Sequence, residues 1–120
     1  MNKHSYLQRF GEVELAVRRG GEGIPFIWGH SLMGSMNVED RAALWDWSEV
    51  ARHAEVVRYD ARGHGNSDGS YDAGDYQWDM MAADMLAVAT SATSDRCGKC
   101  LLGVISMGAA TAMEAALQKP

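Results

Sequence analysis

The run Leu101-Leu102-Gly103-Val104-Ile105 ends at Ser106, and Met107-Gly108-Ala109-Ala110 follows at once. A short apolar run that turns β-branched at its end reads as a buried strand. The small residues after Ser106 predict a helix from Gly108 through Leu117. Strand and helix are therefore joined by a very tight turn with Ser106 at its apex. Such a turn pushes the serine side chain clear of the backbone and crowds its neighbours, which must be small. It also leaves the first helical amides pointing where an oxyanion would form. Serine has a second use at this place, because it is a favoured helix N-cap. These residues by themselves allow both readings.

Two upstream segments have the same build. Pro25-Phe26-Ile27-Trp28 is an apolar strand running into the small, Gly-bearing loop Gly29-His30-Ser31-Leu32-Met33-Gly34-Ser35. Val56-Val57-Arg58-Tyr59 is a second buried strand, followed by the Gly-punctuated turn Asp60-Ala61-Arg62-Gly63-His64-Gly65-Asn66-Ser67-Asp68. In this order and spacing, the three segments resemble landmarks of the α/β-hydrolase family. These are the His-Gly loop that supplies an oxyanion amide, the Asp-x-Arg-Gly-His-Gly-x-Ser turn, and the Gly-x-Ser-x-Gly nucleophile elbow. Gly108 fills the last position of the elbow pattern, whereas Val104 holds its first and Gly103 lies one residue early. Ser31 stands where the loop usually has glycine.

The resemblance covers essentially the whole chain. It implies an α/β three-layer sandwich with a mostly parallel sheet, strands in the order 1-2-4-3-5, and active groups at the C-terminal ends of the strands. Residues 1–120 would form the N-terminal part of the hydrolase domain, without its cap and C-terminal strands. Ser106 would be the nucleophile, and the backbone N–H groups of Leu32 and Met107 would form the oxyanion hole. His30 and His64 would have structural roles, and no cofactor or metal is implied. The implied reaction is acyl transfer to water on a small-molecule ester, lactone or related carbonyl compound. The turn around Asp60 looks most like those of small-molecule esterases, including enol-lactonases and carbon–carbon bond hydrolases of aromatic catabolism. A serine at the elbow argues against the haloalkane dehalogenase branch, which uses aspartate there.

A nucleophilic serine needs a base and an acid that orients the base, and in this family both follow the serine in the chain. The fourteen residues after Ser106 hold one acid, Glu114, and no histidine. Glu114 lies two helical turns on and reads as a surface carboxylate. The histidines at 4, 30, 53 and 64 all precede the elbow. The expectation is that the triad acid and histidine lie outside this chain and that the isolated chain is inactive. The reading from another class is a non-catalytic hydrolase-fold protein that binds a small ligand or partner. An acid and a histidine encoded beyond Pro120 would separate the two.

The net charge of −5, with no basic cluster, argues against a nucleic-acid partner. The polar N-terminus Met-Asn-Lys-His-Ser-Tyr has no signal-peptide core, and no apolar stretch approaches the ~20 residues that span a bilayer. A cytoplasmic protein with a small-molecule substrate and no membrane partner is expected. Cys97-Gly98-Lys99-Cys100 has a spacing used for zinc and for redox work. It lacks a second ligand pair, and it precedes a strand where a thioredoxin-type pair would join strand to helix, so free thiols are expected.

Elsewhere, residues 5–10 and 12–18 read as an antiparallel hairpin, because Glu12 to Arg18 alternate polar and apolar. Asn37 is the expected cap of a helix with Glu39 and Asp40 in its first turn, and Leu44, Trp47, Val50 and Ala51 supply a broken apolar face. Tyr76 to Ala92 predict a helix whose stripe of Trp78, Met81, Met85, Val88 and Ala89 packs on the sheet, with Asp79 and Asp84 off it. Asp68 to Asp75 read as a surface loop. Ending the chain at Pro120 would leave the Leu101–Ile105 strand as an unguarded sheet edge, open to self-association or to a complementary chain.

Overall fold

A computed structural model describes residues 3–93 and 98–120. Strands β1 (Lys3–Phe10) and β2 (Val13–Gly20) form a hairpin, and β3 (Ile24–Gly29), β4 (Ala54–Tyr59) and β5 (Leu101–Val104) follow. They build one five-stranded sheet in the order β1-β2-β4-β3-β5. The β4-β3-β5 half is parallel, while β1 with β2 and β2 with β4 are antiparallel, so the sheet is mixed.

Side-chain alternation along β3 divides the layers. Ile27 faces one way and joins Leu15, Val17, Val57 and Tyr59 in a core closed by Met81, Met85, Val88 and Ala115. Those last residues come from α3 (Trp78–Thr93) and α4 (Met107–Gln118). Trp28 faces the other way, toward α1 (Met36–Arg41) and α2 (Trp47–Val50), and its indole N–H donates to Glu39 at 2.8 Å. The result is the three-layer sandwich.

Several local expectations shift. Ser35, not Asn37, caps α1: its hydroxyl accepts the Val38 N–H at 3.1 Å. The broken face survives as two short helices, with Leu44 exposed between them and only Ala51 fully buried. Trp78 is 51% exposed and opens α3 instead of packing in its stripe. Asp84 is buried, although it was expected off that stripe. The 68–75 loop ends in a 3-10 turn, Ala73–Tyr76, and Tyr76 closes it by accepting the Ser70 N–H and donating to the Ser70 carbonyl. β5 pairs only with β3 among the described residues, and Leu101 and Leu102 are exposed. Cys97 lies outside the described residues. Cys100 is a free, half-buried thiol whose pKa is pushed up by burial.

Candidate active site

The parallel pairing sets the site. Gly29 at the end of β3 lies opposite Val104 at the end of β5, so the loops carrying Leu32 and Ser106 leave from adjacent strand ends. The Ile105 N–H donates to the Gly29 carbonyl at 3.2 Å, which continues the ladder to within one residue of Ser106.

Ser106 has φ 52° and ψ −112°, a backbone state that L residues rarely adopt and that costs about 1–3 kcal/mol. Its carbonyl accepts the N–H groups of Ala109 and Ala110 and so starts α4, but its side chain makes no capping bond. The residue is exposed. Serine is thus not used here as a helix cap; at the apex of the turn its hydroxyl has no hydrogen-bond partner among the described residues. The crowding that such a turn creates is relieved on neighbouring backbone. A Cβ on Gly108 would strike the Gly29 carbonyl, and one on Gly29 would come within 2.8 Å of the Met85 Cε and 3.1 Å of the Gly108 Cα. Val104 fits without such a demand: a Cβ on Gly29 would lie 3.5 Å from the valine Cγ1, an ordinary contact distance.

The loop after β3 carries the second candidate amide. The Gly34 N–H donates to the Ser31 carbonyl at 2.9 Å, closing a turn in which Met33 has φ 64°. Leu32 and Met33 sit at its tip, 64% and 85% exposed. The Leu32 N–H has no acceptor among the described residues, and the Met107 N–H, first in α4, has none within its helix.

Two buried side chains hold this loop. His30 is 2% exposed, and both ring nitrogens are engaged. Nε2 lies 2.9 Å from the Ala61 N–H and accepts it, which leaves Nδ1 to donate to the Ser31 carbonyl at 2.7 Å. Burial pushes its pKa down and nearby His64 adds to this, against the opposing pull of the Ser31 carbonyl, Asp60 and Glu39. Asp60 accepts the Met36 N–H at 2.8 Å and the Asn66 N–H at 3.0 Å, tying the start of α1 to the turn after β4.

That turn accounts for its own sequence. Gly63 and Gly65 have positive φ, and a Cβ on Gly65 would collide with the Asp60 carboxylate. Ser67 donates to the Asp60 carbonyl and accepts the Ala16 N–H at 2.8 Å. Asp68 accepts the Glu14 N–H at 2.9 Å. The turn is therefore laced back along β2. His64 Nδ1 lies 3.0 Å from the Arg62 carbonyl, and its ring centroid is 5.1 Å from that of His30. Of the other titratable residues, His53 is exposed beside Glu49, and Glu114 meets Gln118 one helical turn on at 3.4 Å.

Two buried charged networks were not anticipated. Arg62 pairs in a fork with Asp84, at 2.6 and 2.8 Å, pinning the turn to α3. Asp84 lies three residues after Met81 and four before Val88, so its helical phase did mark it as facing inward. On the other face, Glu39 accepts the indole N–H groups of Trp28 and Trp45 and one from Arg58. The Arg58 guanidinium lies 4.9 Å above the Trp47 ring and also meets Asp40. Asp40 feels burial pushing its pKa up, but Arg18 and Arg58 outweigh that and hold the carboxyl below its ordinary value.

Residues 50–120 match the family described as serine aminopeptidase, S33. The chain belongs to that family, within the α/β-hydrolases. None of the curated proteins matches the sequence. Among solved structures, it superposes on an epoxide hydrolase of Vigna radiata with a TM-score of 0.82 and 19% identity, over 98% of this chain and 36% of that one. A protein of Nostoc sp. PCC 7120 described as an α/β hydrolase gives 0.83 and 21%, over 99% and 40%. A Pseudomonas aeruginosa protein described as an epoxide hydrolase, in its Q244E form, gives 0.78 and 22%, over 98% and 37%. The chain thus spans well under half the length of these structures. At these identities the likeness establishes the fold. No helix among the described residues is long and apolar enough to cross a membrane.

Proposed function

We propose that the protein is a serine hydrolase acting on a small-molecule ester, lactone or related carbonyl compound, with Ser106 as its nucleophile. The observation that carries this reading is the Ser106 backbone. A non-glycine residue is held at positive φ, exposed, with its hydroxyl unused for capping, at a strand-to-helix turn. Strain of this kind persists where the surrounding fold enforces it, and it aims the Oγ outward. The description of the family as serine aminopeptidases supports acyl chemistry through a serine.

In this mechanism the Ser106 Oγ attacks the carbonyl carbon and gives its proton to a general base. The N–H groups of Leu32 and Met107 take the charge that develops on the carbonyl oxygen, each worth roughly 3 kcal/mol in the transition state. The tetrahedral adduct collapses, the leaving group takes the proton from the base, and water then cleaves the acyl-serine by the same route. His30 is not that base, because both its nitrogens are engaged. In this reading the base and its acid follow Ser106 in the family order, on residues beyond Pro120.

A fluorophosphonate probe tests the assignment on the full-length gene product. The protein should be labelled, and its Ser106→Ala variant should not. Equal labelling of both would sink Ser106 as the nucleophile, and labelling of neither would favour a hydrolase-fold binding protein.

A further inference from the structure

His30 joins two pieces of backbone through one neutral ring. Its Nδ1–H donates to the Ser31 carbonyl, which also closes the turn by accepting the Gly34 N–H. Its Nε2 lone pair accepts the Ala61 N–H, at the start of the turn after β4. The second bond exists only while Nε2 carries no proton. A protonated ring would present an N–H to the Ala61 N–H, donor against donor, in a place with almost no access to water.

We propose that His30 is a proton-sensitive latch on the 31–35 loop: neutral, it fastens the loop to the turn after β4, and protonated, it lets the loop go and displaces the Leu32 amide. The loss of an oxyanion donor rests on the function proposed above; the release of the loop does not. The groups facing the ring are few. Asp60 at the end of β4 and Glu39 on α1 favour a charged imidazole, and His64 in the turn and burial itself disfavour it. Asp60 is already committed to the Met36 and Asn66 N–H groups, and Glu39 to two indoles and Arg58. Those bonds hold both carboxylates in place, so neither turns toward the ring to accept the hydrogen bond that the Ala61 N–H cannot. The latch is therefore tuned to open below the ordinary histidine range, about 6.5, and to stay shut at neutral pH.

The test is an NMR pH titration of the Ser106→Ala protein, in which hydrolysis plays no part. The His30 Nε2 resonance should move to its protonated position below pH 6.5, and the Ala61 and Gly34 amide resonances should move with the same midpoint. In the His30→Gln variant, whose side-chain carbonyl can accept the Ala61 N–H without titrating, those two amides should stay within a tenth of that displacement. Amides that stay still while His30 titrates would overturn the latch. So would a His30 that remains neutral down to the pH of global unfolding, or amides that move equally in the variant. Should His30→Gln fail to fold, the coincidence or mismatch of the three midpoints in the His30 protein decides alone. A fluorophosphonate experiment that fails to label Ser106 would remove the proposed activity and leave this titration unchanged.

Discussion

Ser106 and Gly108 divide the work of the elbow. The serine carries the strained backbone, and the glycine makes room for it by leaving the Gly29 carbonyl unobstructed. Gly108→Ala should therefore cost about 2 kcal/mol or more, since backbone cannot step aside as a flexible side chain can. Gly11→Ala, at φ 63° with nothing within 4 Å, should cost only the conformational strain, about 1 kcal/mol. Urea unfolding of both variants checks the difference, and similar losses would remove the packing argument. At the proposed oxyanion hole only the backbone of Leu32 matters. Leu32→Ala should keep most activity in the full-length protein. Leu32→Pro, which deletes the N–H, should lower turnover on the order of a hundredfold. Equal rates for the two variants would exclude that amide.

α3 shows how an element is positioned by more than its apolar stripe. Met81, Met85 and Val88 bury it against the sheet, and the Arg62–Asp84 fork fixes it to the turn that follows β4. Both side chains are mostly buried, so removing one partner strands a charge. Asp84→Asn is expected to destabilise the fold by about 3 kcal/mol. The double variant Arg62→Met with Asp84→Leu should recover most of that loss, because an apolar pair leaves no charge unpaired. Thermal unfolding of the single and double variants measures both effects. A double variant no more stable than Asp84→Asn would show that the fork does more than satisfy its own charges. The stripe itself was legible from three- and four-residue steps. Two positions were not: Trp78 keeps the period but opens the helix and stays half exposed, and Asp84 keeps it while being charged. Periodicity reports which way a side chain faces; it does not report whether a partner waits there.

Across the whole molecule, titration should follow His30 and Asp40. Burial lowers the His30 pKa in the folded state, so below about pH 6.5 the unfolded chain binds more protons than the native one. Stability should be complete above that pH and fall as the pH drops below it, and His30→Gln should flatten this part of the profile. Asp40 has a lowered folded pKa, so its contribution is present above the ordinary carboxylate value, about 4, and is lost as acid protonates it. Denaturation midpoints from pH 7 to pH 3 check both limbs. At the same scale, β5 leaves Leu101 at 54% and Leu102 at 38% exposure on the outer strand of the sheet. A polypeptide of these 120 residues should therefore self-associate, and Leu102→Lys should reduce the association by guarding the edge. Light scattering would show it, and a wild-type monomer at high concentration would contradict it.

Only through the family resemblance did the sequence imply the strand order; its residues by themselves marked the buried strands, the Gly-bearing loops after them and the serine at the last strand-to-helix turn. Each of these depends on local chemistry that a short segment carries whole: a buried apolar run, a glycine where the chain must turn, a small residue where backbones meet. The tertiary structure alone decided what the charged residues do. Glu39 has the look of a solvated first-turn acid, and it became buried beneath two indoles because β3 brought Trp28 to it and the segment before α2 brought Trp45. His30 has the look of a loop residue, and it became a clamp because β4 placed the Ala61 N–H against its ring. Helix capping moved from Asn37 to Ser35 for a related reason: Asp60, 24 residues after Met36, takes the Met36 N–H and draws the start of the helix inward. Polar pairing joins residues distant in the chain, so its partners come from the fold and not from spacing along the sequence.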